Sequence, residues 1–265
     1  MCIHQSAIIM GAFGFLWRWF VLFLSLCDVY WLCAICILFH SNKNMRSETS
    51  LHAALKSWYA TPDGVQEAWI DGYWIDVQIA DLLIEIQTRR FDVIQEKLLR
   101  LLENYQIRLV HPIAAEKWIV HLLKDSESAV NRRKSPRRGR WEHIFLELVR
   151  APSLLAHPNF SLEILLIREE EIRQDDGRGS WRRRGVSIID RRLIEILERK
   201  LIASPSDLRQ FLPPDLESPF TNQQLANQLG INRSLAAKIS YCMRSLNLLQ
   251  TVGKRRNAIL YSILE

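Results

Sequence analysis

Two short runs, EAWI and YWIDVQI, flank the dipeptide Asp71-Gly72, and a third, LLIEIQT, follows Ala80-Asp81. Asp-Gly between aromatic and β-branched runs favours a tight hairpin, so the three read as consecutive strands. Alternation then fixes the faces. Trp74, Asp76 and Gln78 share one side while Ile75, Val77 and Ile79 share the other; in the next strand Leu83, Glu85 and Gln87 oppose Ile84 and Ile86. Two polar residues thus recur on one face of each strand, inside otherwise apolar runs. An unpaired carboxylate is costly to bury, so Asp76 and Glu85 require a partner or a cation.

The flanks complete the unit. Ser47 precedes ETSLHAALKSWY, whose Leu51, Ala54, Leu55 and Trp58 recur at helical spacing, which predicts a helix capped by Ser47 with Glu48 in its first turn. Pro62-Asp63-Gly64 ends that helix. After the third strand, FDVIQEKLLRLLE carries the stripe Val93, Ile94, Leu98, Leu101 and Leu102 of a second helix, and IRLVHPI and KWIVHLL read as two further strands.

This α/β order, α-β-β-β-α-β, resembles the PD-(D/E)XK nuclease superfamily, which includes restriction-endonuclease-like domains. The matching positions are Glu48 in ETSLH, Asp76 in GYWIDV, Glu85 in LIEIQT, and Gln87 where most members carry lysine. The resemblance implies a catalytic set of Glu48, Asp76, Glu85 and Gln87, with Asp76 and Glu85 as ligands of Mg²⁺ or Mn²⁺ and no small-molecule cofactor. Carboxylates on adjacent strands can share such a hard cation, which lowers the pKa of bound water and neutralises charge on the phosphate. An amide at 87 can orient a water but carries no charge, and Arg89 and Arg90 lie near enough in sequence to supply it. Three readings stay open: an active nuclease, a nuclease-like fold that only binds nucleic acid, and a pair of acids that merely meets arginines at a sheet edge.

Beyond this unit the charge becomes locally one-signed. NRRKSPRRGR, 131–140, holds Arg132, Arg133, Lys134, Arg137, Arg138 and Arg140 and no acid, as expected of a solvated loop or one reaching over phosphates. GRGSWRRRG, 177–185, adds Arg182, Arg183 and Arg184 beside Trp181, a mixture suited to a nucleic-acid backbone or to pairing with the acids of 169–176. IIDRRLIEILERKL, 188–201, reads as an amphipathic packing helix, and the proline-rich 204–219 as a connector with a short helical turn.

From 220 onward Thr221 caps a short helix ended by Gly230, and Asn232 or Ser234 opens a second helix through Leu248. QTVG and AILYSI then flank Lys254-Arg255-Arg256-Asn257. This stretch resembles winged helix-turn-helix domains. The resemblance implies that Arg233, Ser234 and Lys238 face DNA from the second helix and that Lys254, Arg255 and Arg256 lie on a wing. Winged helices also serve as protein-interaction modules.

The first 44 residues differ in kind. Between Trp19 and Phe39 the only charge is Asp28, and four of the chain's five cysteines lie here. A span of 21 residues is long enough for a membrane anchor, and the same composition fits a mis-assigned start ahead of Met45. After Cys36 only Cys242 remains, which suits a reducing compartment, so a cytoplasmic location is expected, with a membrane anchor through 19–39 as the alternative.

The expected organisation is a hydrophobic segment at 1–44, a nuclease-like domain at 45–123, a basic, partly helical connecting region at 124–219 and a winged helix at 220–265. The net charge of +6 suits a polyanionic partner. The expected function is a metal-dependent DNA endonuclease, the alternative a catalytically inactive DNA-binding or regulatory protein. Cutting both strands would call for a homodimer. No GxxxxGK[ST], HExxH or G-x-S-x-G motif occurs, so ATPase, zinc-peptidase and α/β-hydrolase readings lack support.

Overall fold

The computed structural model describes residues 48–60, 62–122 and 129–264. The Ser47 cap and the 19–39 span lie outside them. Residues Thr49–Glu265 form one compact unit, so the boundaries expected at 123 and 219 fall inside it. The fold is α/β, built on a mixed seven-stranded sheet with helices on both faces.

Helix α1 (Ser50–Tyr59) buries Leu51, Leu55 and Tyr59, one residue per turn along a single stripe. Its cap is Thr49, whose side chain accepts from the His52 N–H at 3.4 Å. Glu48 therefore precedes the helix and is exposed, a correction to its expected place in the first turn. The hairpin of β1 (Val65–Ile70) and β2 (Tyr73–Ile79) turns at Asp71 and Gly72, both at positive φ as such a turn requires. β2 pairs antiparallel with β3 (Leu82–Ile86), and α2 (Phe91–Leu102) follows with Phe91, Leu98, Leu101 and Leu102 buried and Val93 exposed.

The two runs expected as separate strands are one, β4 (Gln106–Leu122), which pairs parallel with β3 through Val110. Pro112 is tolerated because its missing donor falls on the edge that β3 has vacated. The carbonyls of Val110 and Ala114, two residues to either side, face that edge and accept from Gln87 and Gly139. The basic run expected as a loop begins instead as a strand, β5 (Ala129–Lys134), paired antiparallel with the distal end of β4. After a turn of 3-10 helix (Trp141–Ile144) and the one-turn α3 (Phe145–Leu148), β6 (Phe160–Asp175) runs parallel to β4.

The helix expected over 188–201 is a strand, β7 (Val186–Ile202), antiparallel to β6 at the sheet edge. Three bulges explain the misreading. Opposite β6 the ladder skips Ile189, Ile194 and Leu197, so the inward face changes parity three times and a two-residue period imitates a helical one. The 177–185 segment is the tip joining β6 to β7.

A 3-10 segment (Pro205–Phe211) leads to α4 (Asn222–Leu229), α5 (Arg233–Ser245) and a separate hairpin of β8 (Leu249–Arg255) and β9 (Ala258–Ile263). As the sequence suggested, Thr221 caps α4, Gly230 ends it in the left-handed region and the Asn232 side chain caps α5, which stops at Ser245. One apolar core joins these elements to the sheet: Phe220, Leu225, Leu235 and Met243 share it with Leu98 and Leu101 of α2 and Leu162 of β6. Cys242 is buried there. The opposite face of the sheet packs α1. Among the described residues no helix is long and apolar enough to cross a membrane.

Candidate functional site at the β2–β3 junction

The sheet opens at Asp76. The β1–β2 ladder pairs Gln66 with Val77 and Ala68 with Ile75 but omits Asp76, and on the other side pairing stops at Val77–Ile84. The Asp76 carboxylate substitutes for the missing backbone partner, its Oδ2 accepting from the Ile86 N–H at 2.7 Å. His52, from α1, brings Nε2 to 3.2 Å from the same oxygen and 3.1 Å from the Ile86 carbonyl.

Glu85 points to the other face, where α2 supplies Lys97. The ammonium lies 2.7 Å from Glu85 Oε1 and donates to the Trp74 carbonyl at 2.5 Å, tying both strands together. The second oxygen, Oε2, is buried without a hydrogen-bond partner. Burial pushes the Glu85 carboxyl up to about 7; Lys97 opposes the rise, the nearby Asp76 charge adds to it and His52 opposes it. Asp76 and Glu85 thus lie near enough for one charge to raise the other's carboxyl, while their side-chain partners come from opposite helices, His52 from α1 and Lys97 from α2.

Gln87 does not join them. Its amide donates to the Arg89 carbonyl at 2.6 Å and the Arg90 carbonyl at 3.4 Å, holding the turn into α2. Its own carbonyl meets Nδ1 of the buried His111 at 2.7 Å. Nor do arginines seal the acids: Arg89 is exposed, and Arg90 pairs with Asp92. The unforeseen partners, His52 and Lys97, come from helices. Lys97 had a readable signal, since it interrupts the inward stripe Ile94, Leu98, Leu101 of α2, where lysine is out of place unless paired.

Among the described residues no trio of His, Cys, Asp and Glu side chains stands ready to hold a metal. The carboxylates that could offer oxygens to one here are Asp76 and Glu85, the latter with its Oε2 buried and without a hydrogen-bond partner. Mg²⁺ suits such a sparse set, since it keeps several waters and takes one or two protein carboxylates alongside substrate phosphates.

The expected nucleic-acid contacts divide. Arg132 lies over the Trp118 ring and pairs with Glu170 at 2.6 Å, Lys134 pairs with Glu116 at 2.8 Å, and Arg140 donates to the Leu229 and Gly230 carbonyls that end α4. These three are engaged within the protein while their side chains stay exposed. Arg133, Arg137 and Arg138 are exposed and form no ion pair among the described residues. At the β6–β7 tip, Arg182 lies over Trp181, Arg183 donates to the Val186 carbonyl, and Arg184 closes the turn at φ 53°. Arg233, Ser234, Lys254, Arg255 and Arg256 are exposed and Lys238 is half-buried. From Phe220 to Leu264 the chain has six Lys and Arg and no acid. Tyr241 and Arg244 are exposed on the same helix as Arg233, and the sequence reading missed them.

Residues 49–203 match the family described as domain of unknown function DUF8091, which is more than half of the chain. An uncharacterized protein of Treponema pallidum (strain Nichols) is 33% identical over 184 residues, covering 69% of this chain and 73% of that one. The chain belongs to the DUF8091 family. No solved structure matches it significantly.

Proposed function

We propose that the protein is a metal-dependent DNA endonuclease with a restriction-endonuclease-like core and a C-terminal winged helix. The observation that carries this is the buried, unpartnered Oε2 of Glu85 at the junction where Asp76 opens the sheet. Asp76 and Glu85 would hold Mg²⁺ or Mn²⁺, which when bound lowers the pKa of water and offsets charge on the phosphate. Lys97 supplies from α2 the positive charge that position 87 lacks, and it stands beside the carboxylate to stabilise developing negative charge. His52 holds Asp76 in place, and Gln87 secures the end of β3. The acid-free C-terminal module supports DNA as the polyanion, with Arg233, Ser234 and Lys238 toward the duplex and Lys254, Arg255 and Arg256 on the wing. Cutting both strands takes two copies, a homodimer. The buried thiol of Cys242, alone after position 36, supports the cytoplasm as the compartment.

The test is incubation of the full chain with plasmid and Mg²⁺ or Mn²⁺, beside Asp76→Ala and Glu85→Ala. Cleavage by the parent and neither variant is expected. Binding without cleavage favours a second reading, an inactive DNA-binding regulator, to which one observation points: the Gln87 amide is turned away from Glu85.

A further inference from the structure

The vacated edge of β4 is filled in sequence. Val110 accepts from Gln87 at the end of β3, Ala114 from Gly139 at 2.8 Å, and Lys117 from Ser135 at 2.8 Å, before β5 takes over from Trp118. Residues 135–140 therefore form a strap lying on the sheet edge. Its contact is close: a Cβ on Gly139 would come within 2.5 Å of both the Ala114 carbonyl oxygen and Ile113 Cγ2, so only glycine fits. At its far end Arg140 grips the last carbonyls of α4, at 2.9 Å for Leu229 and 3.2 Å for Gly230, three residues before Arg233 opens α5.

The strap thus runs along the edge of β4 to the start of α5, carries the exposed, unpaired Arg137 and Arg138, and contains no acid. From the level of Glu85, paired with Leu109, to Ala114 is about 17 Å along β4, equal to the rise of about five base pairs along a DNA axis. We propose that the strap is a phosphate track, on which Arg137 and Arg138 hold the backbone of one DNA duplex that lies across both the β2–β3 junction and α5. Because the strap is pinned at both ends, the duplex meets the β2–β3 junction at a fixed offset from α5. Cleavage at that offset rests on the nuclease reading; the track itself does not.

The experiment measures duplex affinity of the full chain against salt, together with hydroxyl-radical footprints, for the parent, Arg137→Ala/Arg138→Ala and Arg137→Lys/Arg138→Lys. Each phosphate contact adds about 0.9 to the slope of log affinity on log salt. The alanine pair is expected to lower the slope by about 1.8 and to open a gap in a continuous footprint; the lysine pair restores both. Gly139→Ala, which displaces the strap with both arginines intact, is expected to open the same gap. An unchanged slope and footprint in the alanine pair overturns the track, even if the parent cleaves. The expected slope change in a chain that never cleaves overturns the nuclease reading and leaves the track standing.

Discussion

The β2–β3 junction and the Phe220–Leu264 module handle charge in opposite ways. At the junction each carboxylate is drawn inward and held by named donors: Glu85 by the Lys97 ammonium, Asp76 by the His52 imidazole and a backbone N–H. In the C-terminal module six cations stand without an acid, and most are exposed. Inward charge costs desolvation and repays it only through fixed geometry, the condition for chemistry at a point. Outward charge of one sign costs little and acts on any polyanion nearby, the condition for binding. The shared core makes these two surfaces parts of one body rather than tethered domains.

That unity can be broken most severely at Phe220, fully buried with its ring 6.0 Å from Tyr261. Phe220→Ala is expected to cost about 3–5 kcal/mol and to lower a single unfolding transition of the whole unit. A separate early transition confined to the C-terminal module, seen by hydrogen exchange, would mean the core is not shared. Next is Lys97→Met, which leaves a carboxylate buried without its cation. About 3 kcal/mol of destabilisation is expected at pH 8 by urea titration, and most of it is recovered when Glu85→Gln is added.

The acid itself gives a smaller, pH-dependent effect. The Glu85 carboxyl sits above its ordinary value of 4.5, at about 7, so its contribution to stability is complete below about pH 4.5 and is lost as pH rises through 7. Relative to Glu85→Gln, the metal-free parent should therefore weaken between those limits, by up to about 3 kcal/mol. A constant difference across that range would contradict the buried site. The smallest effect on stability belongs to the β8–β9 hairpin: changing Lys254, Arg255 and Arg256 together to alanine should leave stability within about 0.5 kcal/mol. The same change should lower the salt slope of DNA binding by up to about 2.7.

What could be read from the chain follows the same division. The three strands around Asp71-Gly72 and the helix pair after Thr221 were legible because local signals, a tight-turn dipeptide and side-chain caps, fix them without help from distant residues. Asp76 and Glu85 were legible as misfits in apolar strands. Their partners were not, because His52 lies 24 residues before Asp76 and Lys97 12 after Glu85, on helices that only the packed sheet brings together. β7 was misread since its bulges are set by pairing with β6, a relation no window of its own sequence contains. In 131–140 composition gave the charge but not its use: the same run supplies strand residues paired to Glu170 and Glu116, a clamp on α4, and three arginines left outward.

The central claim is that Asp76 and Glu85 jointly grip one divalent cation, and titration of the full chain with Mn²⁺, followed by electron paramagnetic resonance, tests it most directly. One site is expected, weakened at least about tenfold by either Asp76→Asn or Glu85→Gln, the loss typical when a metal site is damaged, and unaltered by Arg137→Ala/Arg138→Ala. Failure of the parent to bind Mn²⁺, or binding that survives both carboxylate substitutions unchanged, would contradict it.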